Sequence, residues 1–385
     1  MIRIRTAHTM ALALVLLLAV SASLAAQPSV LLTVGGAFDS FRPTVGALES
    51  RRTAAGTLNL DHVFAAGRGR VFYDLDAGTY DSPGDWSYQL HETGASYRLS
   101  GTDTSGRSVF LTGSLTSRRN GEAWTSANYT AAGGGINVKL YPRGGTTFRA
   151  GYNADFRRFA DLSALTQMEH RGFASLMSSF QTRTTLVFES QVGAKQYDGV
   201  VATEGVAGSV IDPMLSSNQR GSAGMVSVMG RIAQSLTDRT GVRLQATARR
   251  TFGSVPPLLV TTPAGFFEDG VYDDPFASDG LFLETGVKHV FANSAELAAT
   301  AWWARKDYTS TVALDADGAP VSGSPLRWDT VALSTVTWTQ PILGANTGPL
   351  SLSAEFGYRF IKHRSIDTYY NYTSHALSAG FSISY

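Results

Sequence analysis

From Leu377 to the last residue the chain alternates without a break. Leu377, Ala379, Phe381, Ile383 and Tyr385 are apolar or aromatic, while Ser378, Gly380, Ser382 and Ser384 are small or polar. A period of two predicts a β-strand whose faces meet different surroundings. The pattern recurs upstream. Leu350, Leu352, Ala354, Phe356, Tyr358 and Phe360 alternate with Ser351, Ser353, Glu355, Gly357 and Arg359. Phe148, Ala150, Tyr152, Ala154 and Phe156 alternate with Arg149, Gly151, Asn153, Asp155 and Arg157. Similar runs surround Leu186, Val242 and Leu281.

Sixteen such runs lie near 29–41, 53–64, 70–80, 86–100, 107–117, 122–141, 146–158, 168–181, 184–197, 218–236, 240–252, 279–291, 295–308, 326–340, 349–363 and 372–385. The first six are less regular, so fourteen strands is the alternative. An even count brings both chain ends to one side. Gly133-Gly134-Gly135 interrupts the sixth run and predicts a bulge there.

A soluble sandwich also alternates, but its strands usually run about 5 to 6 residues. These runs are roughly twice that, and a transmembrane strand needs about 9 to 11. The connections also alternate short and long. Short ones fall near Pro142–Gly145, Gln181–Arg183, Thr237–Arg239 and Asn293-Ser294; long ones span Asp198–Ser217, Gly253–Ala277 and Thr309–Pro325. The expected fold is therefore all-β: a single antiparallel transmembrane β-barrel with short periplasmic turns and long extracellular loops.

The N-terminus has a different pattern. Arg3 and Arg5 precede the apolar run Ala11–Val20, then small residues lead to Gln27-Pro28. This is the order of a cleaved signal peptide, residues 1–26, and leaves 27–385 as the barrel. No cysteine stands at the junction to take a lipid anchor. Beyond Gln27 no stretch of about 18 apolar residues could span a bilayer as a helix, so a closed barrel is the remaining way across.

Composition adds exclusions. Removing the leader leaves 30 Lys+Arg against 31 Asp+Glu, so no global basic character suggests nucleic acid. The 385-residue chain has no cysteine and hence no disulfide framework. Aromatics near run ends (Trp302, Trp303, Tyr308, Trp328, Trp338, Tyr369, Tyr370 and Tyr372) are expected in the lipid headgroup zone.

The final segment, TYYNYTSHALSAGFSISY, resembles the C-terminal strand of Gram-negative outer-membrane β-barrels of the porin-like class. The resemblance implies residence in the bacterial outer membrane. It also implies that the barrel-assembly machinery reads the outward Phe381, Ile383 and the final aromatic Tyr385. The stretch RRFADL from Arg157 resembles barrels found beside envelope or polysaccharide export systems.

Candidate chemistry lies on the polar face, because Arg or Lys facing lipid at the midplane costs about 2–4 kcal/mol. The expected pore-lining residues are Asp74, Asp76, Lys139, Arg149, Arg157, Glu189, Lys195, Arg243, Arg249, Glu284, Lys288, Glu355 and Arg359. They could line a water-filled channel or pair across the interior and plug it. The first three runs supply acids (Asp39, Asp61, Asp74, Asp76), and runs seven and eleven supply cations, which would set up a field across the lumen.

The expected function is a channel for passive or weakly selective passage of small hydrophilic solutes. The alternatives are a non-enzymatic barrel of an export system and, behind it, an outer-membrane hydrolase. Ser374 beside His375 and Ser365 near His363 are the hydrolase candidates, but no hydrolase signature surrounds them, so no enzyme is expected. The acidic run Glu268, Asp269, Asp273, Asp274 and Asp279 could offer oxygen to calcium, although its spacing is not that of an EF-hand. No cofactor or metal is expected. The expected partners are outer-membrane lipid, lipopolysaccharide (at Lys362, His363 and Arg364, read as a loop), the assembly machinery, small solutes, and other copies of the chain in a homo-oligomer.

Overall fold

The computed structural model describes residues 28–43, 49–64, 67–80, 87–102, 106–161, 165–198, 211–212, 221–254, 259–260, 274–317, 319–343 and 350–385. The expected signal peptide, 1–26, lies outside the described residues. Sixteen antiparallel strands form one closed barrel. They are β1 (Pro28–Pro43), β2 (Glu49–Phe64), β3 (Gly69–Tyr80), β4 (Tyr88–Thr102), β5 (Arg107–Asn120), β6 (Tyr129–Arg143), β7 (Thr146–Phe159), β8 (Gln167–Ser179), β9 (Thr184–Tyr197), β10 (Ser222–Ser235), β11 (Thr240–Ser254), β12 (Ser278–Val290), β13 (Glu296–Val312), β14 (Leu326–Leu343), β15 (Ser351–Ser365) and β16 (Tyr372–Ser384).

Each strand pairs with its neighbours in sequence, and β16 returns to β1. At this seam Val34 lies opposite Phe381 and Gly35 opposite Gly380. Val30 and Tyr385 exchange backbone hydrogen bonds of 3.0 and 2.9 Å. Closure leaves no sheet edge, the condition for an all-β structure in a medium without hydrogen-bonding solvent.

Turns such as Phe180–Arg183 and Phe291–Ala295 close the end that carries Pro28 and Tyr385. At the opposite end lie the longer connections 198–221, 255–277 and 313–325. Short turns on one side and long loops on the other place Pro28 and Tyr385 on the periplasmic side. The first two long loops are joined by a small ladder, Ile211 opposite Val260 and Asp212 opposite Leu259.

The sixth strand starts later than the alternation suggests. Glu122–Ala127 is a 3-10 helix, and β6 begins at Tyr129. The corner is held by Asn128, whose Oδ1 accepts the Asn120 backbone N–H at 2.6 Å. Nor do the three glycines form a bulge. Pairing with β5 and β7 runs unbroken through Gly133–Gly135, and the register shift falls between Leu140 and Arg143. What the glycines provide is room. A Cβ on Gly133 would lie 2.2 Å from Asp155 Oδ1, and one on Gly135 2.1 Å from Asn153 Oδ1.

The aromatic expectation holds for part of its set. Trp328, opposite Asp307, and Trp338, opposite Leu297, face lipid near opposite ends of the wall, whereas Trp303, opposite Leu283, faces lipid at mid-strand, away from the headgroup zone. Trp302 and Tyr372 instead face inward and pack with Val331, Ile361 and Leu333. Tyr308 and Tyr370 also turn inward, onto Arg327. Alternation decides this: Trp302 and Trp303 are adjacent in one strand and must face opposite sides. The side chain of Tyr369 lies outside the described residues.

Candidate functional site

The two faces of the wall can be told apart by what they meet. One is studded with large apolar side chains in the open, among them Leu115 and Leu377 (61% exposed) and Phe381 (56%). Water would not tolerate so continuous an apolar band. On the other face, residues of six strands, from Arg70 on β3 to Arg171 on β8, line one shared cavity of about 590 Å³. Only the concave side of a closed barrel can bring them together. The chain is an outer-membrane β-barrel.

Its inward face holds every expected pore-lining residue, as the ladder registers show. Asp74 accepts the Asn59 side-chain N–H at 2.8 Å, and Tyr88 donates its hydroxyl to Asp76 at 3.2 Å. Lys139 stands over the Phe110 ring at 5.1 Å, Arg149 over Phe173 at 5.0 Å, Arg157 over Tyr129 at 4.5 Å and Arg249 over Phe282 at 4.8 Å. The electron-rich ring faces hold these cations against the wall. Arg249 also donates to Ser278 O at 3.0 Å and Ser278 Oγ at 2.9 Å. Arg243 pairs with Glu284 at 2.5 Å, and Lys288 with Glu296 at 2.5 Å. Glu189 accepts from Gln191 at 2.7 Å. Glu355 and Arg359 lie on the inward face of β15, in register with Thr339 and Thr335.

Of these, the structure brings Arg243 together with Glu284, and Arg157 into the cavity of β3–β8. That cavity adds Arg70, Glu92, Glu169 and Arg171, which the sequence reading passed over, beside Asp155. The missing signal was phase. Leu176 fixes the outward set of β8, and counting back by twos leaves Arg171 and Glu169 facing inward. Arg70 is also an inward cation within the acidic quarter, where it pairs with Asp61 at 2.5 Å.

The ion pairs of Arg70, Arg171, Lys195, Arg243, Lys288 and Arg327 each stay within a strand, join adjacent strands, or reach a loop.

Two loop anchors thicken the wall near the extracellular mouth. In the first, Lys195 is nearly fully buried and contacts Asp274 at 2.7 Å and Glu169 at 3.8 Å. Tyr197 donates to Asp274 at 2.6 Å, and Phe276 packs with Tyr197, Ala223 and Met225. Burial pushes the Asp274 carboxyl up, but Lys195, the Tyr197 hydroxyl and the Phe276 N–H outweigh it and hold it below the usual aspartate range. In the second, Arg327 and fully buried Asp329 form an ion pair, and His363 Nε2 lies 3.0 Å from the same carboxylate. The Arg327 guanidinium is sandwiched at 3.2 Å over Tyr370 and 4.4 Å over Tyr308. Burial pushes the Tyr370 hydroxyl up against the opposing pull of Arg327.

The acidic run does not gather. Asp274 is committed to Lys195, and Asp279 accepts from Thr251 at 2.7 Å and pairs with Arg250 at 3.5 Å. Glu268, Asp269 and Asp273 lie outside the described residues, and among the described ones no acid or histidine group is arranged to hold a metal ion. Ser374 and His375 face opposite sides of β16; Ser374 donates to Asp39 at 2.6 Å. Ser365 accepts the Asp367 N–H at 3.0 Å. Lys362, His363 and Arg364 belong to β15 and not to a loop, so His363 points inward while its two neighbours point out.

No family model and no curated protein matches the sequence. Among solved structures the chain is similar to OccK8 (OprE) of Pseudomonas aeruginosa, at 10% identity over 93% of this chain and 98% of that one, with a TM-score of 0.48. It is similar to OccAB4 of Acinetobacter baumannii, at 10% identity over 93% and 98%, TM-score 0.47. A third similarity is to a bacterial polysaccharide outer membrane secretin, at 11% identity over 92% and 97%, TM-score 0.45. No solute, partner or family passes from these proteins to this chain.

Proposed function

We propose that the barrel is a porin-like channel for passive, weakly selective passage of small hydrophilic solutes, exported by its N-terminal signal and inserted through its C-terminal strand. The observation that carries this reading is the layout of the lumenal charges. Arg70 with Asp61, Arg243 with Glu284 and Lys288 with Glu296 each join adjacent strands, so these pairs run along the wall rather than across the lumen. A sixteen-stranded barrel is wide enough for an aqueous passage.

The charges also support weak selectivity. In the closed order β3 stands diametrically opposite β11, so Asp74 and Asp76 face Arg243 and Arg249 across the lumen. Cations on β6–β8 extend the basic side, and acids on β1–β4 the other. A field across the passage orients dipolar solutes without holding them tightly.

Single-channel recording of the refolded protein in a planar bilayer, under salt gradients of both signs, tests the reading. Steady openings are expected. A silent bilayer from protein with heat-modifiable gel mobility overturns the channel. Neutralising Arg149, Arg243 and Arg249 together to Gln should move the reversal potential toward cation preference. An unchanged potential overturns the transverse field alone.

A further inference from the structure

The cavity between β3 and β8 has a low floor and charged sides. On β5 the inward positions are Thr112, Ser114 and Thr116, and opposite them on β6 stand Gly135, Gly133 and Ala131. No side chain among these six extends past a hydroxyl or a methyl, so the wall is hollowed there. Charge stands on either side of the hollow. In one row of the sheet Glu92 of β4 lies opposite Thr116, and Ala131 lies opposite Arg157 of β7. Of the charged groups lining the cavity, Glu92, Asp155 and Glu169 are acids and Arg70, Arg157 and Arg171 are cations. A lining balanced in sign suits neither a bare cation nor a bare anion. It suits a solute that carries both charges, provided the two signs are held apart.

They are held apart. Arg70 is taken by Asp61, and Glu169 by Arg171 and Lys195. Among the described residues Glu92, Asp155 and Arg157 have no ion-pair partner. Nor are the two acids placed as a structural role would place them. Glu92 lies directly opposite Asp74 of β3, and Asp155 directly opposite Glu169 of β8. Like charges in that relation destabilise a sheet. The direction of Asp155 adds to the argument. A Cβ on Gly133 would lie 2.2 Å from Asp155 Oδ1, so the carboxylate leans off β7 and over the neighbouring β6, toward Glu92. The Glu92 carboxylate is within electrostatic reach of it. Two free carboxylates therefore converge on Ser114 from opposite sides. Arg157, 4.5 Å from the Tyr129 ring centre, follows Asp155 by two residues on the same face, about 7 Å along the strand.

We propose that this recess binds a small zwitterion, with a primary ammonium seated between Glu92 and Asp155 above Ser114 and a carboxylate received by Arg157. An ammonium brings three donors, and Glu92, Asp155 and the Ser114 hydroxyl supply three acceptors. The Arg157 guanidinium, held over the Tyr129 ring, offers a carboxylate two parallel N–H groups. An amino acid and a short peptide share this pair of ends and differ in the distance between them. The site rests on the channel reading, because solute reaches the recess through the lumen.

The test is calorimetric titration of the full-length refolded protein in dodecyl maltoside micelles at low salt. The probes are glycine, glycylglycine and triglycine, each also as its N-acetyl and its C-terminal amide form. At least one unblocked probe should bind, and the tightest of the three gives the spacing of the two seats. Blocking either end should weaken that probe about tenfold or more, since each block removes a charge-assisted contact. The variants assign the ends. E92Q/D155N should remove the penalty for acetylation and leave that for amidation, and R157Q should do the reverse. The first relieves two like-charge contacts and should fold; heat-modifiable gel mobility checks both. If one variant does not fold, the other still reads its own end. No binding of any unblocked probe, or equal binding of blocked and unblocked forms, overturns the proposal. So does an unchanged pattern of penalties in a folded variant. Conductance without solute is recorded on the same preparation. Steady openings with no binding overturn the site alone, whereas binding with a silent bilayer upholds the site and overturns the channel.

Discussion

Asp274 of the loop between β11 and β12 reaches into the barrel to meet Lys195 of β9 at 2.7 Å. The pair fastens the returning end of that loop to the inner wall, with Phe276 pressed against the strand beside it. Because the Asp274 carboxyl is held below its ordinary range, its contribution is fully present above that range and is lost as pH falls through the depressed value. We expect the Phe276 amide, which donates to Asp274 Oδ1 at 3.0 Å, to stay protected from hydrogen exchange at pH 5. Protection should weaken only under more acidic conditions. Asp274→Asn should abolish it at every pH, and equal protection in that variant would refute the anchor.

The recess at Gly133 should control the width of the β3–β8 cavity. A Cβ there displaces only the mobile end of Asp155, so Gly133→Leu should fold and show reduced conductance. Gly101 is the contrasting case. It has φ of +78°, and a Cβ would lie 1.9 Å from the Arg107 carbonyl oxygen. Gly101→Val should destabilise the barrel by about 1–3 kcal/mol or more, read from the denaturant midpoint.

Arg327 and Asp329 should behave as a unit. Removing Arg327 leaves a buried carboxylate without its main partner, a loss of about 3–5 kcal/mol. Arg327→Lys should not restore stability, since a compact ammonium cannot stack between Tyr308 and Tyr370 as the planar guanidinium does. The double variant R327M/D329L should recover most of the loss. A thermal unfolding series on the three proteins decides it.

The seam should be intolerant of side chains. A Cβ on Gly380 would lie 2.9 Å from Val34 O and 3.2 Å from Gly35 Cα, backbone atoms that cannot step aside. Gly380→Val should therefore block closure, seen as loss of the heat-modifiable band, whereas Ala379→Val on the lipid side should be tolerated.

Most of this architecture was legible in the residues, for a physical reason. A strand with lipid on one side and water on the other has no freedom of phase, so alternation declares both the strand and its faces. Leu377–Tyr385 and Phe148–Arg157 are clear instances. Legibility failed where a residue's surroundings depend on partners distant in sequence. Trp302 and Tyr372 read as headgroup aromatics because their ring type suits that zone, yet they fill an interior cluster built by four strands. Gly133 and Gly135 read as a break, because the side chains they accommodate, Asp155 and Asn153, come from the next strand. Glu92 and Arg171 escaped notice because the alternation around them is weak, and only the closed ring shows them lining one cavity.

In every other ladder the two strands follow one another along the chain, so each can form once both are made. The seam is different: Ser374 reaches Asp39 across 335 positions. Until β16 arrives, the preceding fifteen strands amount to a curled sheet with two raw margins of unpaired amides and carbonyls, which hydrocarbon will not accept. The order of events in this protein's life is thereby imposed. Completion has to come before insertion, and β16 admits the fifteen strands before it to the membrane.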